Sequence, residues 1–161
     1  IGISLNDAEK FLGKPNSVVD FESEKMDWQK SDIDIKKEIA FIIGFDSVYS
    51  YNENKYAIWK VFYKNNKAVF FIISSYLSSE LSIKNISVNS TLFFNDSISK
   101  ALDMLGKNSF IIPDIENTNY YLFPEQGITL YVEDELIKVL YIYSAFKGDE
   151  LNKIKHIFEQ N

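Results

Sequence analysis

SLNDAEKFLGK at Ser4–Lys14 and SISKALDMLGK at Ser97–Lys107 are one phrase written twice, ninety-three residues apart. Ser, Ala, Leu, Gly and Lys recur at identical spacing, and Leu5/Ile98 and Phe11/Met104 exchange one apolar shape for another. In the first copy Ser4 and Asp7 make an S-x-x-D cap, followed by Leu5, Ala8 and Leu12 at helical spacing. Gly13 supplies a left-handed stop and Pro15 forbids continuation. In the second copy Asp96 or Ser97 caps a helix with Ile98, Ala101, Leu102 and Leu105 on one face, ended by Gly106. Helices of two to three turns are marginal alone, so each is expected to pack on a sheet.

Strand signals supply that sheet. Residues 16–36 are polar and acidic, with Val18, Val19 and Phe21 allowing a short strand at the start. EIAFIIGF from Glu38 reads as a buried strand, and DSVYSYNEN (Asp46–Asn54) as a tyrosine-bearing loop. Tyr56–Tyr63 and Lys67–Ser74 are β-rich runs flanking KNN, a hairpin signal. The Ser- and Asn-rich residues 75–96 read as a connection with one strand around Ile83–Val88. Beyond the second helix come strands at Tyr120–Phe123, Ile128–Val132 and Leu136–Tyr143, with turns at Pro124–Gly127 and Glu133–Glu135. A last helix over Asp149–Glu159 turns Leu151, Ile154 and Phe158 inward. The order predicts an α+β fold of two tandem helix-plus-antiparallel-meander repeats. Residues 1–76 form the first, 77–95 the connection, and 96–161 the second with its C-terminal helix, in one compact unit. Helices are expected on one face of the sheet, with the other face open.

Composition narrows the function. Hydrophobic residues make up 46% of the 161, enough for a core and too many for a disordered chain. A net charge of −6 disfavours nucleic acid and better fits a basic protein partner, or no charged partner at all. No cysteine is present, which removes disulfides, thiolate nucleophiles and cysteine metal sites together. No apolar run is long enough to span a membrane as a helix. Cysteine-free composition suits the cytoplasm. The periplasm is the alternative if a signal was removed before Ile1.

A helix ending in LGKP, a variable stretch and aromatic strands of the type YYLFPEQGITLYVEDELIKVLYI (Tyr120–Ile142) resemble a known unit. It is the helix-plus-meander repeat of the SmpA/OmlA outer-membrane lipoproteins and of the β-lactamase inhibitor proteins, which carry it in tandem. The resemblance implies a joined antiparallel sheet with helices behind and a face that grips a protein. The inhibitors' disulfides and the lipoproteins' lipidated cysteine are both missing here, so no functional residue is carried over.

Catalytic groups are sparse. The single histidine, His156, falls about 140° around its helix from Leu151, away from the apolar face. GKPNS (Gly13–Ser17) lacks the upstream glycine of a phosphate loop and the strand-then-helix context. Asp32 with Asp34, and Asp134 with Glu135, offer oxygens but no calcium-loop spacing. No carboxylate pair has a neighbour that would split its pKa values. The expectation is therefore a protein that is not an enzyme, with no cofactor and no metal.

Ten tyrosines among clustered acids point instead to binding. Alternation along Ile128–Val132 turns Ile128, Leu130 and Val132 inward, and leaves Thr129, Tyr131 and Glu133 on the open face. In the next strand either Tyr141 and Tyr143 or Lys138, Leu140 and Ile142 point outward. The expected contact set is Tyr120 and Tyr131 as anchors, and Asp114, Glu116, Glu133, Asp134 and Glu135 as steering acids. Tyr51, Tyr56, Asp32 and Asp34 join it from the first half. The partner expected is a cognate antibacterial toxin of the kind used in contact-dependent growth inhibition. This chain would be its immunity protein, and a nuclease's cationic channel would be the natural target. The alternative is a bacterial envelope assembly protein. Oligomeric state is left open.

Overall fold

A computed structural model describes residues 1–28, 35–51, 58–74, 94–106, 110–114 and 117–159. The elements are α1 (Leu5–Leu12), β1 (Ser17–Asp20), α2 (Phe21–Trp28), α3 (Ile35–Ile43), β2 (Ser47–Ser50), β3 (Ile58–Lys64) and β4 (Lys67–Ser74). They continue as α4 (Ile98–Leu105), β5 (Phe110–Pro113), β6 (Thr118–Phe123), β7 (Ile128–Glu133), β8 (Leu136–Tyr143) and α5 (Asp149–Glu159). The expected strand Ile83–Val88 lies outside the described residues.

All eight strands form a single antiparallel sheet in the order β1-β2-β3-β4-β8-β7-β6-β5. The centre is the β4–β8 pair, with Ile72 opposite Tyr141. Each half of the sheet runs outward from there through a hairpin to a four-residue edge strand.

The repeated phrase has the same local structure at both places. Ser4 and Ser97 cap their helices by accepting the Asp7 and Lys100 N–H groups. Gly13 and Gly106, at φ 78° and 93°, return their N–H to Glu9 and Leu102. Each helix start is tied to the hairpin of its own half. Leu5 N–H donates to Asn66 as Ile98 N–H does to Glu135, and Ala68 N–H donates to Ile3 as Ile137 N–H does to Asp96. The two hairpin turns, Asn65–Asn66 and Asp134–Glu135, both hold positive φ at both central residues. The edge strands β1 and β5 keep the ninety-three-residue offset of the helices, whereas the hairpin turns lie sixty-nine apart. The difference falls between β1 and β2, where α2 and α3 stand.

Three expectations change here. EIAFIIGF is helical, because Ile35, Ile39 and Ala40 make a buried helical stripe, and Gly44 (φ 69°) closes it by donating to Ala40. Part of the expected loop Asp46–Asn54 is strand β2, paired between β1 and β3. The open face is covered as well. Leu5, Ala8, Ala101 and Leu105 of α1 and α4 pack on one side of the sheet with Val61, Tyr63, Phe71, Leu130 and Leu140. Ile35, Ile39 and Ala40 of α3 and Leu151 and Ile154 of α5 pack on the other with Val48, Phe62, Phe70, Ile72 and Tyr141. The central strands are apolar on both sides, so each face needs cover. The helical stretches α3 and α5 provide it on the second.

Candidate functional site

The expected contact residues divide sharply. Tyr120 and Tyr131 face each other across β6 and β7, with ring centroids 4.9 Å apart. Both are half-buried on the sheet face that carries α3 and α5, and Tyr141 lies behind Tyr120 at 6.2 Å. Two residues further along, on the same face, Glu133 stands opposite Thr118. A two-residue step in a strand is about 7 Å, so a partner side chain on the tyrosines lies within reach of this carboxylate.

Beyond Glu133 the acids gather at one end of the sheet. Asp134 and Glu135 form the exposed β7–β8 turn, at φ 48° and 64°. The Asp134 N–H donates to the Asn117 carbonyl at 3.2 Å, and the Asp114 N–H to the Thr118 carbonyl at 3.0 Å. These bonds hold the β5–β6 and β7–β8 turns side by side. Asp114, Glu133, Asp134 and Glu135 therefore share a rim around one corner, although their sequence positions span two separate turns. Glu116, Tyr56, Asp32 and Asp34 lie outside the described residues.

Tyr51 does not belong to the surface. It is 1% exposed, in the cluster beneath α1 with Tyr63. Burial raises the pKa of both hydroxyls, and each feels the other and the Glu9 charge. Its position one residue past β2, on the face covered by α1, explains the correction. Thr129 is corrected in the same way. It is fully buried, with Oγ1 3.0 Å from the Tyr143 hydroxyl, which also donates to the Ile128 carbonyl at 3.2 Å. Phe146 closes over Tyr143, with centroids 4.9 Å apart. Tyr141, Tyr143 and Leu140 are all buried, so neither expected outward set of β8 is a surface. Among the described residues of this face, Tyr120 and Tyr131 stay half-buried beside the exposed β7–β8 turn.

Two features had no sequence signal. Glu24 of α2 is buried and accepts from Lys60 Nζ at 2.6 Å. A long-range ion pair of this kind appears only once α2 is placed against β1 and β2, from where Glu24 reaches Lys60 of β3. A cavity of about 370 Å³ is lined by Leu105 at the end of α4, by Leu151 and Lys155 of α5, and by Phe110, Pro124 and Gln126. Gln126 Nε2 donates to the Leu105 carbonyl at its wall. His156 is exposed, on the polar side of α5 as its helical position predicted. Among the described residues no three metal-ligating side chains converge, and no helix is long and apolar enough to cross a membrane.

Fold and site together define an α+β protein on one eight-stranded antiparallel sheet, with helices on both faces and an acid-rimmed tyrosine corner. No family model matches the chain, and no curated protein or solved structure matches it.

Proposed function

We propose that this chain is a non-catalytic protein-binding inhibitor, an immunity protein that neutralises a basic antibacterial toxin domain. The observation that carries the reading is the convergence at one corner of two packed tyrosines and four carboxylates drawn from two turns. Tyrosine pairs give rigid contact area with polar tips. A carboxylate rim raises the association rate of a cationic partner and makes it salt-sensitive. The net charge of −6 acts in the same direction at longer range.

The equivalent caps, hairpin ties and edge strands of the two halves support a second element of the reading. The scaffold is a doubled helix-plus-meander unit, with α2 and α3 inserted into the first copy. Function then sits in what the copies do not share. Tyr120 and Tyr131 line the corner in the second half, whereas the insertion packs over the first.

The test is a binding titration with the product of the adjacent gene, at low and high salt. The expected result is tight binding whose on-rate falls with salt. Tyr131→Ala should weaken it by about 2 kcal/mol or more, as for a central aromatic anchor, with the fold retained by circular dichroism. Equal binding by wild type and by Tyr120→Ala/Tyr131→Ala would remove the corner from the interface. Failure of co-expression to protect cells from the toxin would remove the immunity reading.

A further inference from the structure

The two edges of the sheet differ in their capacity to accept another strand. In an antiparallel pair, opposed residues alternate between those that bond across the ladder and those whose backbone groups point away. On β1 the register continues from Asp20 opposite Ser47 to Phe21, whose N–H donates to Asp46. Val19 and Ser17 are thereby turned toward β2, Val18 turns its N–H and C=O outward, and Asp20 turns its N–H outward while it caps α2. On β5 the register continues from Pro113 opposite Asn119 to Asp114, whose N–H donates to Thr118. Ile112 and Phe110 are turned toward β6, so Ile111 and Pro113 face outward.

Pro113 occupies the outward position that corresponds to Asp20. It has no N–H there, which costs the β5–β6 ladder nothing and denies a donor to any incoming strand. Such a proline is a common protection of an exposed edge. Strand β1 carries no such block. Its Val18 side chain is 54% exposed beside outward-facing backbone.

We propose that β1 is a strand-addition site and that its occupant is an extended, basic segment of a partner protein. The occupant is chosen by charge. The exposed carboxylate of Asp20 follows Val18 on the edge, that of Glu22 stands in the first turn of α2 just beyond, and Lys14 lies before Val18. Asp20 stays ionised because the Ser23 N–H it caps holds its carboxyl below the usual range. A second copy would bring another net −6 to this edge, whereas alternating basic and apolar side chains would meet Asp20 and Val18 favourably. The site lies at the opposite edge of the sheet from the tyrosine corner and does not depend on it.

The probe is a short blocked peptide of alternating lysine and valine, with the glutamate–valine peptide as counterpart. Binding is followed by amide shifts and hydrogen exchange on the intact labelled protein. The lysine peptide should slow exchange at Val18 and Asp20 and leave Ile111 unchanged. Val18→Pro removes an outward N–H without touching the β1–β2 bonds, and should weaken binding at least about tenfold, or 1.4 kcal/mol. The exchange map of the wild-type protein stands independently if that variant folds poorly. Four results would each overturn the proposal. They are no binding, equal binding of the glutamate peptide, protection at Ile111 instead of Val18, or a dimer in the absence of peptide that protects Val18.

Discussion

Lys60 Nζ stands 2.6 Å from Glu24 Oε1, a bond that ties α2 to the third strand with the carboxylate side chain only 6% exposed. The Lys60 side chain is 23% exposed, so the pair is partly wet at its cationic end. Removing one partner of a buried pair leaves a charge that is expensive to bury, whereas replacing both with apolar groups is often neutral. Lys60→Met is therefore expected to destabilise by about 2–4 kcal/mol, and Glu24→Leu/Lys60→Met to recover most of that loss. Urea unfolding of the cycle measures it. Equal loss in the single and double variants would mean that packing of the lysine stem, and not the charge, is what matters.

Gly127 is the glycine whose replacement has least room. Its φ is 70°, and an added Cβ would meet the Tyr143 carbonyl oxygen at 2.1 Å, a backbone atom of the central sheet. Gly106 has φ 93° with nothing within 4 Å of the same position. Gly106→Ala should cost about 1–3 kcal/mol from its backbone alone, since φ 93° with ψ 162° is a region essentially reserved for glycine. Gly127→Ala adds a collision with β8, and should cost clearly more and shift the backbone resonances of Tyr143 and Ala145. Similar thermal midpoints for the two variants would show that the β6–β7 turn can move aside.

The helix caps test whether the two copies of the phrase match in energy as they do in local hydrogen bonding. Ser4→Ala and Ser97→Ala should each cost about 1 kcal/mol, additive because the sites are far apart. Asp7 adds a pH dependence to the first cap. Its carboxyl is held below the usual range by Lys10 and by the Ser4 hydroxyl. A depressed carboxylate contributes above its unfolded pKa, and that contribution disappears as pH falls through the folded value. The difference between wild type and Asp7→Asn should therefore shrink in acid. A difference that grew in acid would reverse the sign assigned to Asp7.

How much of this was legible in the sequence depended on where the information resides. The caps, glycine stops and hairpin turns were readable at Ser4, Gly13, Ser97, Gly106 and Asn65–Asn66, because each is a local backbone demand met by a local residue. The face assignments were not. Phe70–Ile73 and Val139–Ile142 are apolar on both sides, and a continuous apolar run carries no period to say that both faces are covered. Glu38–Phe45 misled for a related reason, since three β-branched residues within a short apolar stretch suit a strand until Ile35 and Ile39 are seen packing together. Strand β5 was hidden by Pro113, which is tolerated because its missing N–H faces outward. In the candidate site, alternation located Tyr131 and Glu133. Only the bonds between Asp134 and Asn117 and between Asp114 and Thr118 show that the two acidic turns meet. Tyr51 was misplaced because a tyrosine next to a polar loop has no sequence mark that distinguishes a core ring from a surface one.

Those buried rings set the alkaline limit of the fold. Burial is the leading cause that raises the pKa of Tyr51, Tyr63 and Tyr143. The Thr129 hydrogen bond partly opposes it at Tyr143, and the Tyr51–Tyr63 pair and the Glu9 charge modulate the other two. A group whose folded pKa lies above its unfolded value contributes stability that is complete below the unfolded value, here 10.0, and is lost as pH rises beyond it. Stability should therefore fall steadily above about pH 10, and Tyr51, Tyr63 and Tyr143 should ionise only as the sheet opens. Phenolate absorbance is expected in two phases, the exposed tyrosines first and a second step coincident with loss of ellipticity. Tyr143→Phe removes the one of the three whose hydroxyl bonds Thr129 and the Ile128 carbonyl. It should cost about 1 kcal/mol at neutral pH from its lost hydrogen bonds, yet flatten the alkaline fall, so that its stability curve converges on that of wild type at high pH. A single smooth titration of all ten tyrosines with ellipticity intact would mean that these rings reach solvent without unfolding, and would dissolve the core assigned to them.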